Sequence, residues 1–141
     1  VGLLNDGFSK VIDDLNLDVL MIDTHPGLNE ETLLSIAISD ALVIIMRPDS
    51  QDYQGTSVTV DIARKLGVPR LLLLINKVPA VYDTAATKAQ AEKIYACEVG
   101  AVLPHSDDMM ALASSGLFVL RFPDHQVTGV YKQVAARLMA S

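Results

Sequence analysis

Residues 70–77 read RLLLLINK. A basic residue opens the run, five aliphatic side chains follow without a break, and an amide and an ammonium close it. Apolar and polar residues do not alternate, so an extended chain here offers neither face to water. An unbroken run of this length between polar bounds fits a strand covered on both faces, as in a parallel sheet packed between helices. Asp18–Asp23 (DVLMID), Ala41–Met46 (ALVIIM) and the shorter Gly100–Leu103 (GAVL) have the same character. They are expected as strands with Arg70–Asn76.

Helical spacing fills the intervals. Asn29 is placed to cap a helix opening with Glu30 and Glu31, with Leu33, Leu34, Ala37 and Ile38 as its apolar stripe. A second helix is expected after Asp52, with Val58, Ile62 and Leu66 on one face and Gly67 as its stop. A third is expected near Ala85–Cys97, with Ala91, Ile94 and Tyr95 inward. A short one follows Ser106, opens with Asp107 and Asp108 and ends at Gly116. The last spans Val127–Met139, with Val127, Val130, Tyr131, Val134 and Leu138 as its stripe. The residues before Asp23 read as a lead-in helix on Phe8, Val11, Ile12 and Leu15. Strand and helix in alternation define an α/β class, a parallel sheet with flanking helices. Right-handed crossovers bring the C-terminal strand ends to one edge, where such folds bind ligands.

Composition narrows the function. The chain has 141 residues, 50% of them hydrophobic and 20% charged, with a mean hydropathy of +0.33. That suits one domain with a large core and excludes a disordered chain. The apolar runs fall far short of the ~20 residues that span a bilayer, and no leader pattern is read at the N-terminus. One cysteine, Cys97, cannot form an intrachain disulfide, which fits a reducing cytoplasm. A net charge of −6 argues against direct nucleic-acid binding, which needs clustered Lys and Arg.

The chemistry-bearing residues gather at the expected strand ends. Asp23-Thr24-His25-Pro26-Gly27 follows the first run. A carboxylate at a strand tip can hold the water shell of Mg²⁺, and a glycine lets a backbone N–H approach a phosphate. The same residues could equally form a capped turn. Asn76 and Lys77 close the longest run. An amide offers one donor and one acceptor to a base edge, and a lysine stem can lie along a ring. A turn Asn beside a solvated Lys is the other reading.

In sequence, the order is strand–DTHPG, helix, strand–RPD, helix, strand–NKV, helix, strand–VLP, then SDD and a helix. This order resembles the MinD/ParA family of P-loop ATPases over nearly the whole chain. The resemblance implies a Rossmann-like P-loop NTPase fold, part of an ATP-dependent nucleotide switch that positions division sites, chromosomes or other cargo. It implies that Asp23 to Gly27 are switch II, with Asp23 holding Mg²⁺ through water and Gly27 facing the γ-phosphate. Asn76 and Lys77 would contact adenine, and Pro104 and His105 would lie beside the base. ATP and Mg²⁺ are the implied cofactors.

The chain departs from that pattern in one respect. It contains no GxxxxGK[ST] motif, and Gly2 and Gly7 are isolated. Residues 1–141 therefore resemble the C-terminal portion of such a domain, from the switch II strand to the terminal helix. The isolated chain is expected to bind no cofactor and hydrolyse no ATP. In the family the phosphate-loop strand lies beside the switch II strand. Its absence leaves edges that invite self-association, so a homo-oligomer is expected, with protein partners for the intact ATPase. The competing classes are a non-enzymatic pseudo-ATPase interaction module and a phosphoacceptor receiver domain. The receiver reading has Asp23 and Lys77 at strand tips but lacks the earlier acidic pair.

Other residues read structurally. Arg47 is expected to pair with a carboxylate, Cys97 to be buried, Met109 and Met110 to fill core, and His25 to be solvated. His105 and His125 lack the spacing of metal ligands. The last helix has only Lys132 and Arg137 as basic residues, so it is expected to pack on the sheet rather than lie on a membrane.

Overall fold

The computed structural model describes residues 2–140, with side chains from Asn5 onward. In chain order the elements are α1 (Gly2–Leu15), α2 (Glu30–Ala37), β1 (Ala41–Met46), α3 (Ser50–Lys65), β2 (Arg70–Val78), α4 (Thr84–Tyr95), β3 (Glu98–Pro104), α5 (Asp107–Leu112), α6 (Phe118–Arg121) and α7 (Gln126–Met139). The strands form a three-stranded parallel sheet in the order β1-β2-β3.

β2 is central, and its alternate side chains enter two separate cores. Leu73 and Ile75 pack with Ile44, Met46 and Val99, and that face is covered by Val60 of α3 and by Ala91 and Tyr95 of α4. Leu72 and Leu74 point the other way, to Ala101 and to Val134 of α7. Leu72, Leu73 and Ile75 are all completely buried. This two-sided cover is why the run need not alternate.

Two bulges shape the β2–β3 ladder. Leu73 pairs with Val99 and Leu74 with Ala101, so Gly100 is the extra residue on β3. A Cβ at Gly100 would meet the Leu72 side chain at 2.7 Å, too close for any other residue without displacing a buried leucine. Further along, Ile75 pairs with Val102 and Val78 with Pro104, which leaves Asn76 and Lys77 in a second irregularity on β2.

The caps follow local chemistry. Asn29 Oδ1 accepts the Thr32 N–H at 2.8 Å, and Asp49 Oδ1 accepts the Asp52 N–H at 3.0 Å. Gly67 ends α3 at φ +75°, a conformation that glycine adopts without strain. Arg64 closes α4 by donating to the carbonyls of Tyr95 and Ala96 at 2.6 and 2.9 Å.

Several expectations are corrected. Asp18–Asp23 is not a strand: it has no partner on either side, and Val19 and Met21 are 53% and 81% exposed. An extended segment becomes a strand only when a neighbour takes its backbone hydrogen bonds, and neither edge of the sheet reaches it. Of the α1 stripe, Phe8 is half-buried and Val11, Ile12 and Leu15 are exposed. In α2 the inward residues are Thr32 and Ile36, and Ala37 faces out. In α3 they are Thr56, Val60 and Ala63, while Val58 and Leu66 are exposed. In α4 Ala91 and Tyr95 are buried as expected, but Ile94 is exposed. Met110 is also exposed, because α5 stops at Leu112 and Ala113 turns the chain away at φ +44°. The short α6 lies between the two last expected helices, in a stretch for which no element is expected. Among the described residues no helix is long and apolar enough to cross a membrane.

Candidate functional site

The parallel register brings the C-terminal ends of β1, β2 and β3 to one edge, at Met46, Val78 and Pro104. The β2 bulge lies at this edge. Within it Lys77 has φ +56°, a left-handed conformation uncommon for a residue with a side chain. Asn76 Oδ1 accepts the Lys77 N–H at 2.8 Å, which braces the turn and leaves the Asn76 amide nitrogen free to donate. Backbone strain held by such local bonds is concentrated where side chains must be aimed.

The adjacent segment is tied to the same bulge. Val78 pairs with Pro104, and the His105 N–H donates to the Val78 carbonyl at 3.0 Å. His105 Nε2 lies 3.2 Å from Asp107 Oδ1, and Ser106 Oγ caps α5 by accepting the Met109 N–H at 3.3 Å. Four of the six candidate residues, Asn76, Lys77, Pro104 and His105, therefore form one connected surface. Asn76 is half-buried, and Lys77 and His105 are exposed.

Asp23 and Gly27 stand apart from them. The turn from Asp23 to Gly27 is exposed throughout, and among the described residues none of its side chains makes a hydrogen bond or ion pair. Gly27 has φ +98° and open space around it. His25 is exposed, as expected for a solvated loop histidine.

The β1 end is closed by an ion cluster. The Arg47 backbone N–H donates to Asp52 Oδ2 at 2.7 Å, and its Nε lies 3.2 Å from the same oxygen and 3.3 Å from Asp49 Oδ2. The Arg47 side-chain hydrogen bond, helped by the backbone one, holds the Asp52 carboxyl below its ordinary range. The same pairing raises the Arg47 guanidinium. Arg47 is thus a structural partner here. Cys97 is buried, and burial pushes its thiol up, away from the thiolate form that reactive cysteines use. Sequence reasoning missed an open cleft of about 430 Å³ beside this edge, bounded by Pro48, Tyr53, Val81, Tyr82 and Gln90. Its signal was a pair of tyrosines just beyond two strand ends.

Among the described residues, no group of three His, Cys, Asp or Glu side chains could hold a metal ion. A free amide, a lysine stem and a backbone edge suit a base, and a solvated carboxylate suits metal-bound water. The set includes no glycine-rich cradle for phosphates.

No protein-family profile matches the chain. It is 26% identical over 133 residues to an uncharacterized ATP-binding protein of Methanocaldococcus jannaschii, covering 94% of this chain and 50% of that one. A second uncharacterized ATP-binding protein of the same organism is 23% identical over 122 residues, covering 86% of this chain and 45% of its own length. The chain thus spans about half the length of the curated relatives it matches. The MinD cell division protein of Aquifex aeolicus superimposes with a TM-score of 0.78 at 12% identity, over 97% of this chain and 60% of that one. At that identity the likeness speaks to architecture: the chain shares the α/β arrangement of parallel strands and flanking helices with that part of MinD.

Proposed function

We propose that this chain is the switch and base side of an ATP-binding domain, the C-terminal portion of a MinD/ParA-like nucleotide-switch ATPase. The observation that carries the reading is the strained Asn76–Lys77 bulge, bonded at the sheet's C-terminal edge to the Pro104–His105 segment. The names of the two archaeal relatives, both ATP-binding proteins, support the choice of ligand. Asn76 reads the base edge, Lys77 lies along the ring, and Pro104 and His105 border it. Asp23 would hold Mg²⁺ through water, and Gly27 would admit a backbone N–H to the terminal phosphate. When bound, Mg²⁺ would supply charge neutralisation for phosphoryl transfer.

A phosphate-binding loop is required from elsewhere in the intact protein, and its strand would enter between residues 18–23 and β1. Without it the chain neither holds the triphosphate nor hydrolyses it. The intact switch dimerises and changes protein partners with nucleotide state. The absence of a GxxxxGK[ST] motif in these 141 residues favours one alternative, a pseudo-ATPase interaction module.

The test is base discrimination by the full-length protein. ATP and GTP affinities are measured by titration calorimetry for the wild type and Asn76→Ala. An ATP preference that falls about tenfold on substitution supports the assignment. Equal affinities for ATP and GTP in the wild type, or no nucleotide binding, would refute it and favour the interaction module.

A further inference from the structure

His125 sits where three helices meet. Its ring lies edge-on to Phe118 of α6, with centroids 5.1 Å apart and planes at 85°, and 6.4 Å from Phe122. It is the N-cap of α7, and its Nδ1 accepts the Val127 N–H at 3.0 Å. A nitrogen that accepts carries no proton, so the neutral ring bears its hydrogen on Nε2. Nε2 lies 3.6 Å from Asp108 Oδ2 on α5, a distance for charge attraction rather than a formed hydrogen bond.

The two neighbours make opposite demands. The cap needs a lone pair on Nδ1. Asp108 favours a positive ring. Protonation turns Nδ1 into a donor aimed at the unpaired N–H groups of α7, and no acidic residue in that first turn offsets the repulsion. The charged groups nearby are Asp108 on α5, Arg121 at the end of α6 and Asp124 in the loop before the ring. Among the described residues only Asp108 brings a carboxylate within 4.0 Å of the ring nitrogens. Phe118 and Phe122 bring no charge.

We propose that His125 is a pH-operated latch on α7. Neutral, it caps the helix; protonated, it releases the Val127 N–H and turns to pair with Asp108. The latch joins two working parts of the fold. α7 seals one face of the sheet through Val134, and α5 begins two residues beyond His105. Tyr131 Oη, 3.8 Å from Met109 Sδ, forms a second tie between the same helices.

Nuclear magnetic resonance of this chain tests the latch without a substitution. Ring ¹⁵N shifts should show Nδ1 unprotonated and Nε2 protonated in the neutral state. On acidification the Val127 amide should shift with the ring's own midpoint. Its protection from exchange, corrected for the intrinsic effect of pH, should fall about fivefold. His125→Asn keeps a capping acceptor that does not titrate, so the Val127 amide should hold its position across that range. A neutral ring protonated on Nδ1, a Val127 amide indifferent to the ring, or a step that persists in His125→Asn would overturn the proposal.

Discussion

Leu71–Ile75 and Val19–Ile22 are both unbroken aliphatic runs that lead to a polar tip, yet one is enclosed and the other stands open. β2 has a strand on each side and helices over both faces, so its side chains divide between two cores. The 18–23 segment pairs with no strand and is at most half-buried, and α1 before it leaves Val11, Ile12 and Leu15 exposed. On the open edge of the sheet, Ile45 of β1 is 65% exposed. The difference teaches that an apolar run specifies a need for cover, and that the cover itself belongs to other segments. The superposition on MinD nevertheless covers 97% of the chain, so it takes in most of the arm as well as the sheet.

The largest effect should separate the two runs directly. Leu73→Ala empties a fully buried site on β2 and should cost about 2–5 kcal/mol. Met21→Ala, at an 81% exposed position, should fall within about 0.5 kcal/mol of the wild type in this chain. Denaturant unfolding measures both. If Met21→Ala becomes costly in a longer polypeptide, the arm has acquired its cover there. Uncovered surface should also drive this chain to self-associate. Light scattering over a dilution series should give masses above 15.2 kDa, and a monomer at high concentration would mean the open edges are satisfied internally.

A smaller effect probes the closed side. Gly100→Ala forces a Cβ against Leu72 in the bulge, and should cost about 1–3 kcal/mol by the same unfolding measurement. An unchanged midpoint would show that β3 can shift away from β2.

The smallest effect concerns Tyr95, whose hydroxyl donates to the Tyr53 carbonyl at 2.9 Å. Tyr95→Phe should cost about 1 kcal/mol near neutrality. Burial first, then the neighbouring Tyr53, raises the Tyr95 phenol from 10.0 to about 12. The folded state then holds its proton more tightly than the unfolded chain. Its contribution is complete below pH 10 and is lost as pH rises to about 12. Alkaline melts should show that fall in the wild type and a weaker one in Tyr95→Phe.

The closed region was legible because its own sequence supplies its environment. The unbroken β2 run, the Asn29 cap, the Gly67 stop and the α7 stripe all depend on short-range chemistry. The open region was misread because a strand at 18–23 depends on a neighbour, which no property of DVLMID can provide. The α3 face was misassigned for a related reason. Val58, Ile62 and Leu66 are the more apolar set, but the crossover geometry turns Thr56, Val60 and Ala63 to the sheet. At the candidate site, sequence order pointed to the edge that gathers Asn76, Lys77, Pro104 and His105. The bulge that aims Asn76 and Lys77 was not legible, because it arises from the pairing register of β2 against β3, two neighbours in the sheet that are separated in the chain by α4.

The central claim is that the open arm and the closed edge serve one nucleotide. The most direct measurement is kcat for ATP hydrolysis together with nucleotide Kd, on the full-length protein, for the wild type and Asp23→Ala. If Asp23 acts through the metal's water shell as charge develops, kcat should fall on the order of 100-fold while Kd changes little. A variant with unchanged kcat would contradict the account, for it would place the Asp23 turn outside the site that Asn76 and Lys77 complete.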